Sequence, residues 1–285
     1  MKTSYMWIDP RLPKDHRITG LSMPLASALE TMVSLGFDGV ELMIGDPEDF
    51  DADSFAAAVK GSGLEVSQIC TGELSGSYGL VLNHPDTARR KAALCAAEKC
   101  IRLAGRWRCS VGIGRFRGKI WDPEPCASME RMADSMRLLD RIAGDEGVKV
   151  FLEPLRPDIC DTLNSVSETT AFIDAVGLES FGWLLDTDHV ELGEASRLRG
   201  KTGSPGFVHL ADSMHAPLGR GRIDFPAYLS LIASMGYQGY CSIEVFSDET
   251  VNERQFLSEM AGVLSKFFRE AEIKGKIRKT VYHAN

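Results

Sequence analysis

The stretch WLLDTDHVELG, residues 183–193, sets an apolar run against four ionisable side chains. Trp183, Leu184 and Leu185 read as a buried strand, and Asp186, Asp188, His189 and Glu191 crowd its exit. The same signature recurs. FLEP brings Glu153 to the end of an apolar run, FVHLAD carries His209, CSIEVF carries Glu244, and GVELMIG carries Glu41. Each of these charges begins inside a desolvated wall, where an unpaired carboxylate is costly. A divalent cation resolves that cost. Glu153, Asp186, His209 and Glu244 offer three carboxylates and one imidazole. That oxygen-rich set with one nitrogen suits Mn²⁺ first, with Mg²⁺ or Co²⁺ next, over a thiolate-type zinc site; Zn²⁺ is the remaining option. Open positions on such an ion accept two oxygens of a substrate.

These residues need elements that bring them to one place. Short β-like runs fall at Ser4–Ile8, Gly39–Met43, Glu65–Cys70, Arg108–Ile113, Lys149–Glu153, Gly182–Asp186, Phe207–Ala211 and Tyr240–Val245. The central ones are short and apolar, as strands buried on both faces should be. Helical patterns lie between them: Leu25–Leu35, Ser54–Lys60, Thr87–Leu103, Met129–Ala143, Ser167–Val176, Phe225–Met235 and Asn252–Glu272. Gly36, Gly61, Gly144, Gly177 and Gly236 stand as helix stops. Strands alternating with helices predict an α/β fold, a single-domain (β/α)8 TIM barrel over residues 1–273 with a peripheral tail at 274–285. A doubly wound sheet is the runner-up, weakened because no GxGxxG opens the first helix. GRFRG at 114–118 lacks the GK[ST] of a phosphate loop. In a barrel the strand ends converge on one mouth, so the four candidate ligands would come from four consecutive strands. Taken singly, Glu41 also reads as a salt-bridge partner and His209 as a core histidine; the joint pattern favours a site.

The chain has 285 residues and a formal net charge of −8, which disfavours non-specific binding to nucleic acid. Its seven cysteines form no CxxC or zinc-ribbon spacing and read as buried thiols in a reducing compartment. The N-terminus, MKTSYMWIDPRLPKDHR, lacks the sustained apolar run of a signal peptide, and no run is long enough for a membrane span. The expected setting is cytoplasmic.

At these residues the chain resembles the sugar phosphate isomerase/epimerase family, the xylose-isomerase-like barrels of the AP endonuclease family 2 superfamily. The matching segments are LGFDGVEL (35–42), GLEVSQICTGEL (63–74), LEPLRPD (152–158), LLDTDHVEL (184–192), VHLADS (208–213), GRGRIDF (219–225) and GYQGYCSIEVF (236–246). The resemblance implies one divalent metal on Glu153, Asp186, His209 and Glu244. It implies His189 as a contact to substrate oxygens and Glu41 as a polar position facing the substrate. It also implies proton abstraction beside a carbonyl through a metal-stabilised enediolate, with Glu153 and Glu244 as the two bases. The activity so implied is that of a sugar, sugar phosphate or keto-sugar isomerase or epimerase. The implied partners are a small carbohydrate and further copies of the chain, as a dimer or tetramer.

One departure stands out. Relatives that bind free ketoses follow the seventh-strand HxxD with an Asn-Arg pair, whereas Met214 and His215 stand here. Either His215, Arg220 or Arg222 takes over that grip or the substrate differs, which leaves a metal-dependent lyase or dehydratase acting on a keto-sugar or keto-glycoside as the alternative. The abasic-site endonucleases need a three-zinc cluster that the six histidines do not fill. A barrel that binds without catalysis would be betrayed by holding no divalent ion. The remaining residues have plainer expectations. Asp188 and Glu191 suit the start of the next helix, and Asp212 a position behind a ligand or at a turn. The loop GRFRGKIWDPEP (114–125) reads as a lid, with Trp121 covering an apolar substrate face and Arg115, Arg117 or Lys119 meeting a phosphate. TGELSGSYGLVLNHPD (71–86) is a second lid candidate.

Overall fold

A computed structural model describes residues 1–13, 17–197, 203–248 and 251–273. In chain order the elements are β1 (Lys2–Ile8), β2 (Arg17–Ile18), α1 (Leu25–Ser34), β3 (Gly39–Met43), α2 (Ala52–Ser62), β4 (Glu65–Cys70), α3 (Gly72–Gly76), α4 (Thr87–Trp107), β5 (Ser110–Ile113), α5 (Pro125–Glu146), β6 (Val150–Leu152), α6 (Val166–Val176), β7 (Phe181–Asp186), α7 (Leu192–Arg197), β8 (Phe207–Leu210), α8 (Phe225–Ser234), β9 (Tyr240–Ile243), β10 (Ser247–Asp248) and α9 (Glu253–Ile273). Strands β1, β3, β4, β5, β6, β7, β8 and β9 form a closed parallel barrel in that order. Closure comes from β9 pairing with β1, Lys2 opposite Tyr240 through Tyr5 opposite Ile243. This is the (β/α)8 TIM barrel, and the closing pair rules out the doubly wound sheet. The eight apolar runs expected as strands are its eight staves.

Side chains alternate between the two faces of each strand. Val40, Leu42, Ile69, Val111, Val150, Leu185, Val208 and Ile243 join Met32, Val59, Ile101, Met136, Leu229 and Leu257 of the helices in one buried core. Inside the stave ring, Met6, Ile8, Met43 and Cys70 form a separate apolar cluster with Leu12. Glu153, Asp186, His209 and Glu244, at the ends of their strands, bring the polar groups together that make the site.

Some boundaries differ from the sequence reading. Arg108, expected in a strand, caps α4 in a left-handed conformation (φ 57°). Helix α5 runs through Gly144 and stops at Gly147, which takes φ 65°; α2 likewise passes Gly61 and stops at Gly63, φ 82°. A glycine inside a helix is tolerated, and the one free to turn left-handed ends it. The segment 71–86 holds the short helix α3, and β2 with β10 makes a separate two-stranded pair too brief to leave a sequence pattern. The tail at 274–285 lies outside the described residues. All seven cysteines are free. No helix among the described residues is long and apolar enough to cross a membrane.

At the edge of the barrel the Phe151 ring lies across two glycines of the neighbouring segments. A Cβ on Gly182 would stand 3.2 Å from that ring, and one on Gly206 would overlap it. Gly206→Ala should therefore destabilise the fold by about 1–3 kcal/mol through overpacking. Urea unfolding should show a lower midpoint at unchanged slope, with partial recovery in the Gly206→Ala, Phe151→Ala double variant.

Candidate active site

Four strands deliver four ligand-type side chains to one point. Glu153 follows β6, Asp186 ends β7, His209 lies in β8 and Glu244 follows β9. One ligand atom from each lies within 4.8 Å of all the others. His209 Nδ1 stands 2.7 Å from Glu244 Oε2 and 3.3 Å from Glu153 Oε1. Asp186 is fully buried; its Oδ1 accepts the backbone N–H of Asp188 at 2.6 Å, and its Oδ2 has no hydrogen-bond partner among the described residues. An orphaned buried carboxylate oxygen beside two further carboxylates and an imidazole is what a divalent cation would satisfy. The donor set present therefore fits a metal ion. Gly114 clears the space: a Cβ there would sit 2.5 Å from Glu153 Oε2.

The electrostatics follow from burial and crowding. Burial, with the charges of Glu153 and Glu244 adding to it, pushes the Asp186 carboxyl up to about 7, against the pull of His215 and His209. Burial alone would lower His209, yet Glu244, Glu41 and Glu153 together hold it well above the ordinary imidazole range. Burial opposes the charge on Glu244, and the neighbouring His209 overrides it and keeps that carboxyl low. Burial and the adjacent His215 push His189 down to about 3, so its ring is neutral. Glu153, Asp186, His209 and Glu244 would hold a cation here with the imidazole and Asp186 deprotonated.

A cavity of about 660 Å³ opens onto this cluster, within the size range of small-molecule sites. Glu153, His209, Glu244, His189, His215, Gln68 and Arg115 supply its polar wall; Ile8, Leu12, Met43, Leu155 and Ile159 supply an apolar one. His189 and His215 face each other with their Nε2 atoms 3.3 Å apart. Their ligand atoms also converge with Asp186 in a second, smaller set. His215 is fixed by three contacts. Its Nδ1 lies 3.0 Å from the Glu244 carbonyl, its own carbonyl accepts the Phe246 N–H at 2.8 Å, and the preceding Met214 N–H donates to Asp188 Oδ1 at 2.7 Å. Met214 and His215 both take left-handed backbone, φ 64° and 52°. Two consecutive non-glycine residues in that region are costly and persist only where the surroundings hold them.

Several sequence expectations need correction. Glu41 does not face the cavity. It is fully buried behind His209, with Oε1 3.1 Å from His209 Nε2 and 3.1 Å from Gln68 Nε2. Trp121 does not line the cavity; its indole N–H donates to Asn83 Oδ1 at 2.9 Å and its ring packs on His84. Arg220 pairs with Glu259 at 2.7 Å and borders a different depression, of about 560 Å³. Asp188 is no helix cap: it is ion-paired to Arg156 at 2.6 Å and props the Met214 turn. Asp212 caps that turn, accepting the N–H groups of Ser213, Gly219 and Ile223. In the proposed lid, Lys119 lies over the Trp121 ring and Arg115 meets Glu73, 3.5 Å away.

Arg117 is the contact least visible in the sequence. It is fully buried and donates to the carbonyls of Glu153 (2.8 Å), Gly114 (3.0 Å), Thr162 (2.5 Å) and Leu163 (3.3 Å). It thus ties the backbone of Glu153 to the loops after β5 and β6. Arg117→Leu leaves several buried carbonyls without a donor, at about 1–3 kcal/mol each. The expected loss is at least about 3 kcal/mol, seen as a fall in urea midpoint, with Arg117→Lys recovering only part because one ammonium cannot span the same acceptors.

Comparison with known proteins agrees with this geometry. The sequence model of the xylose isomerase-like TIM barrel family matches residues 29–267. A ketose 3-epimerase of Arthrobacter globiformis is 27% identical over 251 residues, covering 84% of this chain and 83% of that protein. An L-ribulose 3-epimerase of Mesorhizobium japonicum is 28% identical over 244 residues, covering 85% and 70%. Among solved structures, the apo 3-keto-D-glucoside 4-epimerase of E. coli superposes with a TM-score of 0.75 at 21% identity, over 94% of this chain and 99% of that one. Its likeness, at that identity, speaks to the fold. A closed eight-stranded barrel with three carboxylates and a histidine gathered at its mouth, together with the match over most of the length, places this chain in the xylose isomerase-like TIM barrel family.

Proposed function

We propose that this protein is a divalent-metal-dependent sugar isomerase or epimerase that removes a proton beside the carbonyl of a ketose or keto-sugar. The observation that carries the reading is the cluster at the barrel mouth: two glutamates, Glu153 and Glu244, flanking His209 Nδ1 at 3.3 and 2.7 Å, with the unpartnered oxygen of Asp186 beside them. The relatives named as ketose 3-epimerase and L-ribulose 3-epimerase support the choice of chemistry and substrate class.

Glu153, Asp186, His209 and Glu244 would hold the metal. Their hardness favours Mn²⁺, with Mg²⁺, Co²⁺ and Zn²⁺ as the other candidates. When bound, the cation polarises a carbonyl and an adjacent hydroxyl and lowers the cost of the negative charge that follows proton loss. The chain itself handles the proton. Glu153 and Glu244 reach the mouth from staves three places apart round the wall, so they approach a bound carbon from different sides. Removal by one and return by the other inverts that carbon, which is epimerisation. Return at the neighbouring carbon is aldose–ketose isomerisation. His189 and His215, both lining the cavity, would hold substrate oxygens. His189, neutral at working pH, acts as a hydrogen-bonding group and not as a fixed charge. Ile8, Leu12 and Met43 give the cavity an apolar wall.

The test is solvent-deuterium incorporation with a panel of free ketoses and keto-glycosides. Wild-type protein loaded with Mn²⁺ should incorporate deuterium at the carbon beside the carbonyl and form an epimer or isomer. Glu153→Gln and Glu244→Gln should each reduce exchange by at least about 100-fold while the far-UV dichroism stays unchanged. Exchange near the wild-type rate in either variant refutes the two-base scheme. Loss of water or of an aglycone with no epimer formed would assign a lyase instead.

A further inference from the structure

We propose that Glu41 is a positioning residue for the metal: it takes the Nε2–H of His209 and so presents the Nδ1 lone pair of that ring to the cation. The inference rests on the proposed metal site and gives a task to a fully buried carboxylate that does not reach the cavity.

Four observations carry it. The His209 ring spans two groups of acids, with Nδ1 toward Glu244 and Glu153 (2.7 and 3.3 Å) and Nε2 toward Glu41 Oε1 (3.1 Å). Only Nδ1 therefore looks into the ligand cluster, and it ligates only when the ring's proton resides on Nε2. A carboxylate facing Nε2 fixes that tautomer and orients the ring plane.

Glu41 is itself held. Gln68 Nε2 donates to Glu41 Oε1 at 3.1 Å, and Ser110 Oγ donates to Gln68 Oε1 at 3.1 Å. The line Ser110–Gln68–Glu41–His209 crosses the barrel interior, and Gln68, Glu41 and His209 are all buried.

The backbone is adapted to that line. Pairing between β3 and β4 runs Val40 with Val66 and then Glu41 with Gln68, so the register slips and passes over Ser67. Without the slip Glu41 would pair with Ser67, and Gln68, level with Leu42, would turn to the opposite face of the sheet. Such irregularities re-aim side chains near active sites. Gly112 on β5 completes the arrangement, since a Cβ there would stand 2.8 Å from Gln68 Nε2. A register slip, a bare glycine and a four-residue hydrogen-bonded line all serve one oxygen of Glu41.

The experiment measures Mn²⁺ affinity by counting free aqueous ion with electron paramagnetic resonance, in wild type, Glu41→Gln and Gln68→Leu. Glu41→Gln should weaken Mn²⁺ binding roughly 10- to 100-fold while the thermal midpoint of the metal-free protein stays close to wild type; Gln68→Leu should weaken it less. Equal affinity in wild type and Glu41→Gln overturns the inference and leaves the metal site standing. Wild type binding no Mn²⁺ overturns both. A second readout needs no variant. Histidine-selective ¹⁵N spectra of the Zn²⁺-loaded wild type should show His209 protonated at Nε2 with Nδ1 metal-bound. The opposite tautomer overturns the inference even if Glu41→Gln fails to fold.

Discussion

The barrel is organised around one imidazole. His209 stands between Glu41 on one side and Glu153 and Glu244 on the other, and Asp186 with its unpartnered oxygen belongs to the same cluster. A protonated His209 can offset one of these charges at most. Charge of this density inside a protein is expensive, and pairing alone seldom repays the desolvation. A cation held among these groups would offset that charge. The raised Asp186 and raised His209 record the same imbalance as protons that a cation would displace.

Much of the remaining structure keeps that cluster in place. Gly114 makes room for the Glu153 carboxylate, and Arg117 grips the Glu153 carbonyl from behind. Arg156 holds Asp188, and Asp188 holds the Met214 N–H, so an ion pair at the end of β6 supports the turn after β8. That turn, with two consecutive left-handed residues, sets His215 against His189 across the cavity. The backbone cost there is offset by the contacts from Asp188, Glu244 and Phe246, which position a side chain at the substrate's place.

How much of this was legible in the sequence depends on distance along the chain. Glu153, Asp186, His209 and Glu244 were readable because each is a charge at the end of a short apolar run, a purely local signal. The eight staves were readable for the same reason. Glu41 gave the same local signal, but its depth depends on a register slip against β4 and on a histidine in β8, neither of which is local. Gln68 lies in the strand EVSQIC, where Glu65 and Ser67 are polar as well, so nothing local in the sequence marks its amide as buried. Arg117 reads in the sequence as a phosphate contact, since two of its acceptors, Thr162 and Leu163, lie far along the chain. Trp121 follows from the composition of its loop and Arg220 from the search for a replacement of the missing Asn-Arg pair; neither signal says which way a loop folds. The indole N–H found Asn83, and the guanidinium found Glu259.

The central claim is that one divalent cation sits among Glu153, Asp186, His209 and Glu244. Anomalous diffraction from Mn²⁺-loaded crystals tests it most directly. The account predicts a single strong peak at about 2.0–2.3 Å from a carboxylate oxygen of each acid and from Nδ1 of His209. A peak bound instead by Asp186, His189 and His215, or ligation through His209 Nε2, or no peak at saturating Mn²⁺, would contradict it.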